Sequence, residues 1–491
     1  MFNTVSPEKA GISSALVEKF IKALNSRGLV MHSILLARGE DIFAECYWKP
    51  FDENFCHRMY SETKSYVAVA IGLLLEDGKL KLSDKIIDYF PEKMGKGPQG
   101  YIKDLTIEQM LTMETCGVKG VEYWFYDSDP DRTHQYFNEN KGSVPSGMRW
   151  EYDSCGSQVL CALVEKLSGK CLFDFLNERI FSYLGTFKAA TILKTKNDDS
   201  WGDSALICTP RDMASFARFV MNYGNWHGKQ LMSADYLKRA TSRLVDNNLN
   251  GFEGAFTQGY GYQIWRVKDG FAFNGMGGQL TLCLPEKDLI FVCTGDNQNF
   301  VPAKDLIISA FYEIIVDNID KPLKEDSASY KKMKDCFEAQ ELCSMTGDVT
   351  SPFEKELDGK VYTCEENPMG ITSFSLKFNG DGTGEFCWKN AQGDKVLPFG
   401  LCKNVFAKFP QLGYNNDHGG LKTNDGFMFD CATSAAWREE KKLLMKVQVI
   451  DRYFGNILIT LSFKDDIAYV SMNKIAEAFL EEYHGSMIAH L

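Results

Sequence analysis

Apolar residues recur along the chain with two different periods, and the order in which the periods follow one another predicts its architecture. Residues 6–27 place Leu16, Phe20, Ile21 and Leu24 on one side of an amphipathic helix. MHSILLAR (31–38) and DIFAECYW (41–48) read as two strands joined at Gly39-Glu40. Val67, Val69, Ile71, Leu73, Leu74 and Leu75 then leave no polar side, which predicts a helix buried all round. From about residue 80 to 240, helices and loops dominate. DLTIEQMLTM (104–113) has an aspartate before its apolar stripe, and SCGSQVLCALVEKLSGK (154–170) stops at Gly169. TPRDMASFARFVMNYG (209–224) has Thr209 as cap, Pro210 at the first helical position and Gly224 at its end.

Strand spacing returns at 261–268, 270–275, 279–285 and 289–295, followed by a helical stretch over 303–318. Strands at both ends with helices between them predict an α+β unit whose antiparallel sheet is assembled from both ends. The charged segment 323–335 reads as a linker between a first domain, 1–322, and a second, 336–491. In the second domain short alternating runs, with NGDG (379–382) as a hairpin turn, predict an antiparallel barrel or sandwich.

The 491 residues carry a formal charge of −12 and no basic stretch, which argues against nucleic acid or an anionic membrane as partner. No segment approaches the roughly 18 consecutive apolar residues of a membrane span. The start of the chain is polar and amphipathic, without the basic head and apolar core of an export signal. The 15 cysteines include no C-x-x-C pair, so reduced thiols and a cytoplasmic location are expected. The seven histidines lack metal-ligand spacing, and neither metal nor cofactor is expected. His57, close to Ser61 in sequence, reads as a packing residue.

Candidate chemistry begins at Ser61-Glu62-Thr63-Lys64, directly ahead of the apolar helix. A serine hydroxyl attacks a carbonyl only when a base takes its proton. A lysine three residues on shares its helical face, and burial or neighbouring cations depress an amine's pKa. The same Ser-x-x-Lys spacing recurs at Ser6/Lys9, Ser329/Lys332 and Ser471/Lys474. Ser6 precedes Pro7 as a helix cap would, Ser329 lies in a charged stretch and Ser471 ends a strand-like run. Only Ser61 leads straight into a core helix. No G-x-S-x-G is present, which removes the usual α/β-hydrolase arrangement.

Four segments in sequence, 59–92 (MYSETKSYVAVAIGLLLEDGKLKLSDKIIDYFPE), 105–117 (LTIEQMLTMETCG), 149–170 (RWEYDSCGSQVLCALVEKLSGK) and 273–295 (FNGMGGQLTLCLPEKDLIFVCTG), resemble the serine β-lactamase and penicillin-binding-protein superfamily. The likeness is to its class-C-like branch, which also holds esterases, D-aminopeptidases and 6-aminohexanoate-dimer hydrolase. The resemblance implies a β-lactamase-like fold over about the first 320 residues, Ser61 as nucleophile and Lys64 as its proton acceptor. It places Tyr152 on the family's Y-x-N tyrosine, coupled to Lys64. Ser154 then stands where β-lactamases carry asparagine, and Phe273-Asn274-Gly275 stands where they carry Lys-Thr-Gly. The amides of Ser61 and Met276 would form the oxyanion hole. Without the lysine that helps hold a β-lactam carboxylate, efficient β-lactamase activity is not expected. Tyr123, Trp124 and Tyr126 either line an apolar substrate cleft or pack an interface.

The implied activity is hydrolysis of ester or amide bonds in small acyl compounds or short peptides, through an acyl-serine. The alternatives are a peptidase for D-amino-acid or peptidoglycan fragments, a weak β-lactamase, and a non-catalytic penicillin-binding-like sensor or scaffold. The resemblance further implies that the C-terminal domain is a lipocalin-like barrel.

Overall fold

A computed structural model of the chain describes residues 2–95, 97, 100–117, 129–139, 142–248, 251, 254–419, 422–423, 426–452, 454–476 and 480–491. Its contacts divide into two units, Met1–Glu341 and Leu342–Leu491.

The first unit is built on a seven-stranded sheet. Its strands are β1 (Asn3–Thr4), β2 (Met31–Arg38), β3 (Asp41–Tyr47), β4 (Trp265–Val267), β5 (Gly270–Asn274), β6 (Leu280–Leu284) and β7 (Leu289–Gly295). They lie in the order β1-β3-β2-β7-β6-β5-β4, so strands from the two ends of the unit meet at β2–β7. All pairs are antiparallel except β1–β3. Both faces of the sheet are covered, which explains why β7 (LIFVCTG) is buried at every position instead of alternating.

One face packs on α2 (Thr63–Glu76), α3 (Ser154–Ser168) and α4 (Pro210–Met221); the other packs on α1 (Ser14–Ser26), α5 (Ala303–Phe311) and α6 (Ser327–Glu338). The amphipathic stretch 6–27 forms two helices, Pro7–Ala10 and α1, instead of one. Gly11 separates them in the left-handed region at φ 96°, where an added Cβ would lie 2.3 Å from the carbonyl oxygen of Asp320. The charged segment 323–335 runs mostly through α6, whose Met333 and Phe337 are buried in the outer core of the first unit. Charge density concealed that apolar stripe.

Helix α2 is buried around its whole circumference. Gly72 lies against Tyr236, whose hydroxyl donates to the Ala68 carbonyl at 2.6 Å, and a Cβ there would come within 2.4 Å of the tyrosine ring. Alanine gains about 1 kcal/mol over glycine from helix propensity, whereas overpacking costs about 1–3 kcal/mol. Because the Tyr236 ring is held at both ends, packing should win: Gly72→Ala is expected to lower the urea midpoint, and a raised midpoint would contradict this.

The second unit carries β8 (Val361–Cys364), β9 (Ser373–Phe378), β10 (Thr383–Asn390), β11 (Gly393–Leu401), β12 (Val405–Lys408), β13 (Asp430–Glu439), β14 (Lys442–Ile450), β15 (Phe454–Lys464), β16 (Ile467–Ala476) and β17 (Gly485–His490). A parallel β11–β13 pairing closes nine of them into a barrel, with β12 on the edge of β13. Closure removes the exposed edges that an open sheet would present. The NGDG turn joins β9 to β10, with Gly380 and Gly382 at φ 76° and 78°. No helix among the described residues is long and apolar enough to cross a membrane.

Candidate active site

Ser61 lies in a short 3-10 turn, Tyr60–Glu62, that runs directly into α2. Lys64, in the first turn of α2, is 1% exposed, and its Nζ donates to Ser61 Oγ at 3.0 Å and to the Asp203 carbonyl at 2.7 Å. The Asp203 carboxylate, also buried, lies 3.7 Å from the same nitrogen. Lys64 therefore reaches Ser61 from a desolvated position with its ammonium held in place.

The backbone before Ser61 is unusual, with Tyr60 at φ 49°. Arg58 packs its guanidinium 4.4 Å from the centres of both the Tyr60 and Trp201 rings. It also donates to the Ser204 carbonyl at 3.0 Å and hydroxyl at 2.9 Å. One buried cation thus joins the turn that carries Ser61 to the loop that carries Asp203.

Tyr152 comes from the segment just before α3, and its ring centre lies 5.1 Å from Lys64 Nζ. It stacks on Trp265 of β4 at 5.6 Å and remains 36% exposed. Asp153, between Tyr152 and Ser154, caps α3: it accepts from the Gly156 amide at 2.7 Å and from the Tyr136 hydroxyl at 3.0 Å. Ser154 is the first residue of the helix, and half-buried.

Gly275 brings the end of β5 against the turn that carries Ser61. A Cβ there would sit 2.1 Å from the Met59 carbonyl oxygen, two residues before Ser61. Met276 begins the turn that follows, which Gln279 holds by donating to the Met276 carbonyl at 2.7 Å and the Gly295 carbonyl at 3.0 Å. Ser61 and Met276 are both half-buried, not sealed in the core. Asn274 accepts from Lys304 at 2.6 Å, and burial lowers the Lys304 ammonium to about 8. Glu62, fully buried behind Ser61, accepts from the Thr281 hydroxyl at 3.2 Å, and desolvation pushes its carboxyl well above the usual range.

Phe273 is fully buried against Phe216 and Phe271, at ring separations of 5.5 and 5.9 Å, so its side chain fills the core instead of facing open space. Alternation along β5 turns it to the face that α2 and α4 cover. Tyr123, Trp124 and Tyr126 lie outside the described residues. His57 is fully buried in an aromatic group with His32, Phe51 and Phe55, where desolvation lowers its pKa to about 3.

The Beta-lactamase family profile matches residues 15–305. The chain belongs to the beta-lactamase family. It is thus a hydrolase of the beta-lactamase type, and Ser61, Lys64, Tyr152 and Gly275 all fall within the matched region. Among curated proteins, it is 23% identical to the 6-aminohexanoate-dimer hydrolase of Paenarthrobacter ureafaciens, over 53% of this chain and 71% of that protein. It is 26% identical to esterase EstB of Burkholderia gladioli, over 37% of this chain and 52% of that one. Among solved structures, EstCE1, a hydrolase with promiscuous acyltransferase activity, superposes with a TM-score of 0.50 at 12% identity, over 61% of this chain and 98% of its own. That structural likeness shows the shared beta-lactamase fold.

Asp203, Gln279, Glu62 and Arg58 belong to this candidate site by their contacts, and sequence reasoning did not assign them. Asp153 had a local signal, an aspartate three residues before a helical glycine, but Asp203 meets Lys64 across 139 residues and has none.

Proposed function

We propose that the protein is a serine hydrolase that cleaves ester or amide bonds of small acyl compounds through an acyl-enzyme on Ser61. The single observation that carries this reading is the 3.0 Å contact between Lys64 Nζ and Ser61 Oγ at a half-exposed turn, with the Tyr152 ring beside the lysine. Its relatives' names, an amide hydrolase and an esterase, support the bond class.

In this mechanism Ser61 Oγ attacks the carbonyl carbon and its proton passes to the coupled Lys64/Tyr152 pair. The carbonyl oxygen becomes an oxyanion held by the amides of Ser61 and Met276. As the tetrahedral centre collapses, the leaving alcohol or amine takes the proton back. Water, deprotonated by the same pair, then attacks the acyl-serine, and Ser61 departs with a proton to complete the cycle. The lysine must be neutral to accept the serine proton, and Tyr152 is the group placed to share that proton with it.

A fluorophosphonate probe followed by peptide mass spectrometry tests this directly. One covalent adduct is expected, on the peptide containing Ser61, with none on Ser61→Ala. Labelling elsewhere, or none, would overturn the assignment. Comparing short-chain nitrophenyl esters, D-amino-acid anilides and a chromogenic cephalosporin then sorts the bond class, with esters expected to turn over fastest.

A further inference from the structure

Of the three groups proposed to carry acyl transfer, Tyr152 is the one whose side chain hydrogen bonds do not fix. Two hydrogen bonds hold Lys64, whereas the Tyr152 hydroxyl makes none among the described residues and the residue is 36% exposed. A part-exposed ring changes rotamer readily unless its neighbours confine it. Sharing a proton with Lys64 requires the phenol within hydrogen-bond reach, so whatever confines the ring sets how often the pair is aligned.

Trp265 of β4 is placed to confine it. Its ring stacks on that of Tyr152 at a centroid separation of 5.6 Å and an interplanar angle of 26°, and the same tyrosine ring lies 5.1 Å from Lys64 Nζ. Trp265 is itself fixed from several sides. Its backbone pairs with Ala272 of β5, and Tyr260, Phe256 and Trp150 meet its ring edge-on at 5.0, 5.6 and 5.8 Å. Trp150 also meets Tyr152, but less closely, at 6.5 Å and 52°. Two residues before Trp265, the buried Gln263 ties this segment to α2 and α3. Its carbonyl accepts from the Ser65 hydroxyl at 2.7 Å, and its side-chain oxygen accepts from the Ser157 hydroxyl at 2.9 Å. Ser65 follows Lys64 directly, and Ser157 stands in the first turns of the helix that Tyr152 precedes. The segment that carries Trp265 is thus in fixed register with both Lys64 and Tyr152, and the aromatic stack passes that register to the phenol ring.

We infer that Trp265 is a positioning residue for acyl transfer: by stacking on Tyr152 it holds the phenol beside Lys64 in the alignment that proton sharing needs. The inference rests on the acyl-serine mechanism proposed above and adds to it a residue that touches neither Ser61 nor Lys64.

Steady-state turnover of 4-nitrophenyl butyrate, in a double-mutant cycle of Trp265→Leu with Tyr152→Phe, tests the inference. Trp265→Leu keeps apolar volume but cannot stack, and should lower kcat about tenfold, the upper end of what one aromatic pair contributes. KM should change less than about twofold, because the lost contact is to Tyr152 and not to substrate. Trp265→Phe supplies a ring to stack on and should retain at least about a third of the wild-type kcat. In the Tyr152→Phe background, Trp265→Leu should cost less than about twofold, because no phenol remains to be aligned. A residue that only packs β4 would lower turnover by the same factor in both backgrounds. Trp265→Met, equally without a ring, takes the place of Trp265→Leu if that variant does not fold. Equal losses in the two backgrounds, or a leucine variant as active as the phenylalanine one, would overturn the inference and leave the mechanism standing. Undiminished turnover in Ser61→Ala or in Tyr152→Phe would overturn the mechanism, and the inference with it.

Discussion

Lys64→Met is expected to yield a folded protein whose kcat on 4-nitrophenyl butyrate is lower by about 10⁴-fold, the scale of losing a general base that works as a unit with its nucleophile. Methionine preserves most of the stem volume, so α2 keeps its packing while the amine that touches Ser61 Oγ and the Asp203 carbonyl is gone. The measurement is steady-state turnover, with circular dichroism confirming the fold. Lys64→Arg should not rescue, because a guanidinium cannot give up its proton to act as a base. A Lys64→Met enzyme retaining more than about a tenth of its activity would show that Ser61 is deprotonated by another group.

The second large effect is expected at Gly275, for a backbone reason. The ideal Cβ of Gly275→Ala would sit 2.1 Å from the Met59 carbonyl, closer than any contact the two chains can sustain, so the end of β5 must move away from the nucleophile turn. That motion would withdraw the Met276 amide from the oxyanion position proposed for it. Losing one oxyanion donor costs about 10²–10³ in kcat, and Gly275→Ala should show a loss of that size with KM much less affected. Fluorophosphonate labelling of Ser61 should slow in parallel, because its addition also develops charge on an oxygen. Wild-type turnover in Gly275→Ala would remove Met276 from the proposed oxyanion hole.

The fold was readable where periodicity and burial agree. β2, β3 and β7 follow the predicted runs almost residue for residue, and β2 and β7 are buried at nearly every position because both faces of the sheet are covered there. The reading failed where a local feature interrupts a longer one. The residues 6–27 look like one helix, but the close approach of the Asp320 backbone at Gly11 breaks it in two. The 261–268 run looks like a full strand, but only Trp265–Val267 pairs, after a left-handed Gln263 at φ 54°. The segment 323–335 looks like a linker by charge, but the buried Met333 and Phe337 of α6 are spaced one turn apart among those charges.

The candidate site divides along the same line. Ser61 and Lys64 were readable together because three residues on a helix is a local distance, and Tyr152 and Gly275 were readable through the family's segments. Their proposed roles rest on that resemblance together with the chemistry of a hydroxyl, an amine and a phenol, which can carry acyl transfer. By itself, the sequence therefore determined the α+β unit, the all-β unit after it and the buried helix that follows the candidate nucleophile, all properties of neighbours along the chain. Only the tertiary structure decided that Asp203 holds Lys64, that Glu62 is buried against Thr281, that Gln279 clamps the Met276 turn and that Phe273 turns away from the cleft. Most of these contacts join residues that are distant along the chain, and no period along the chain encodes which face of a strand will meet solvent, substrate or core.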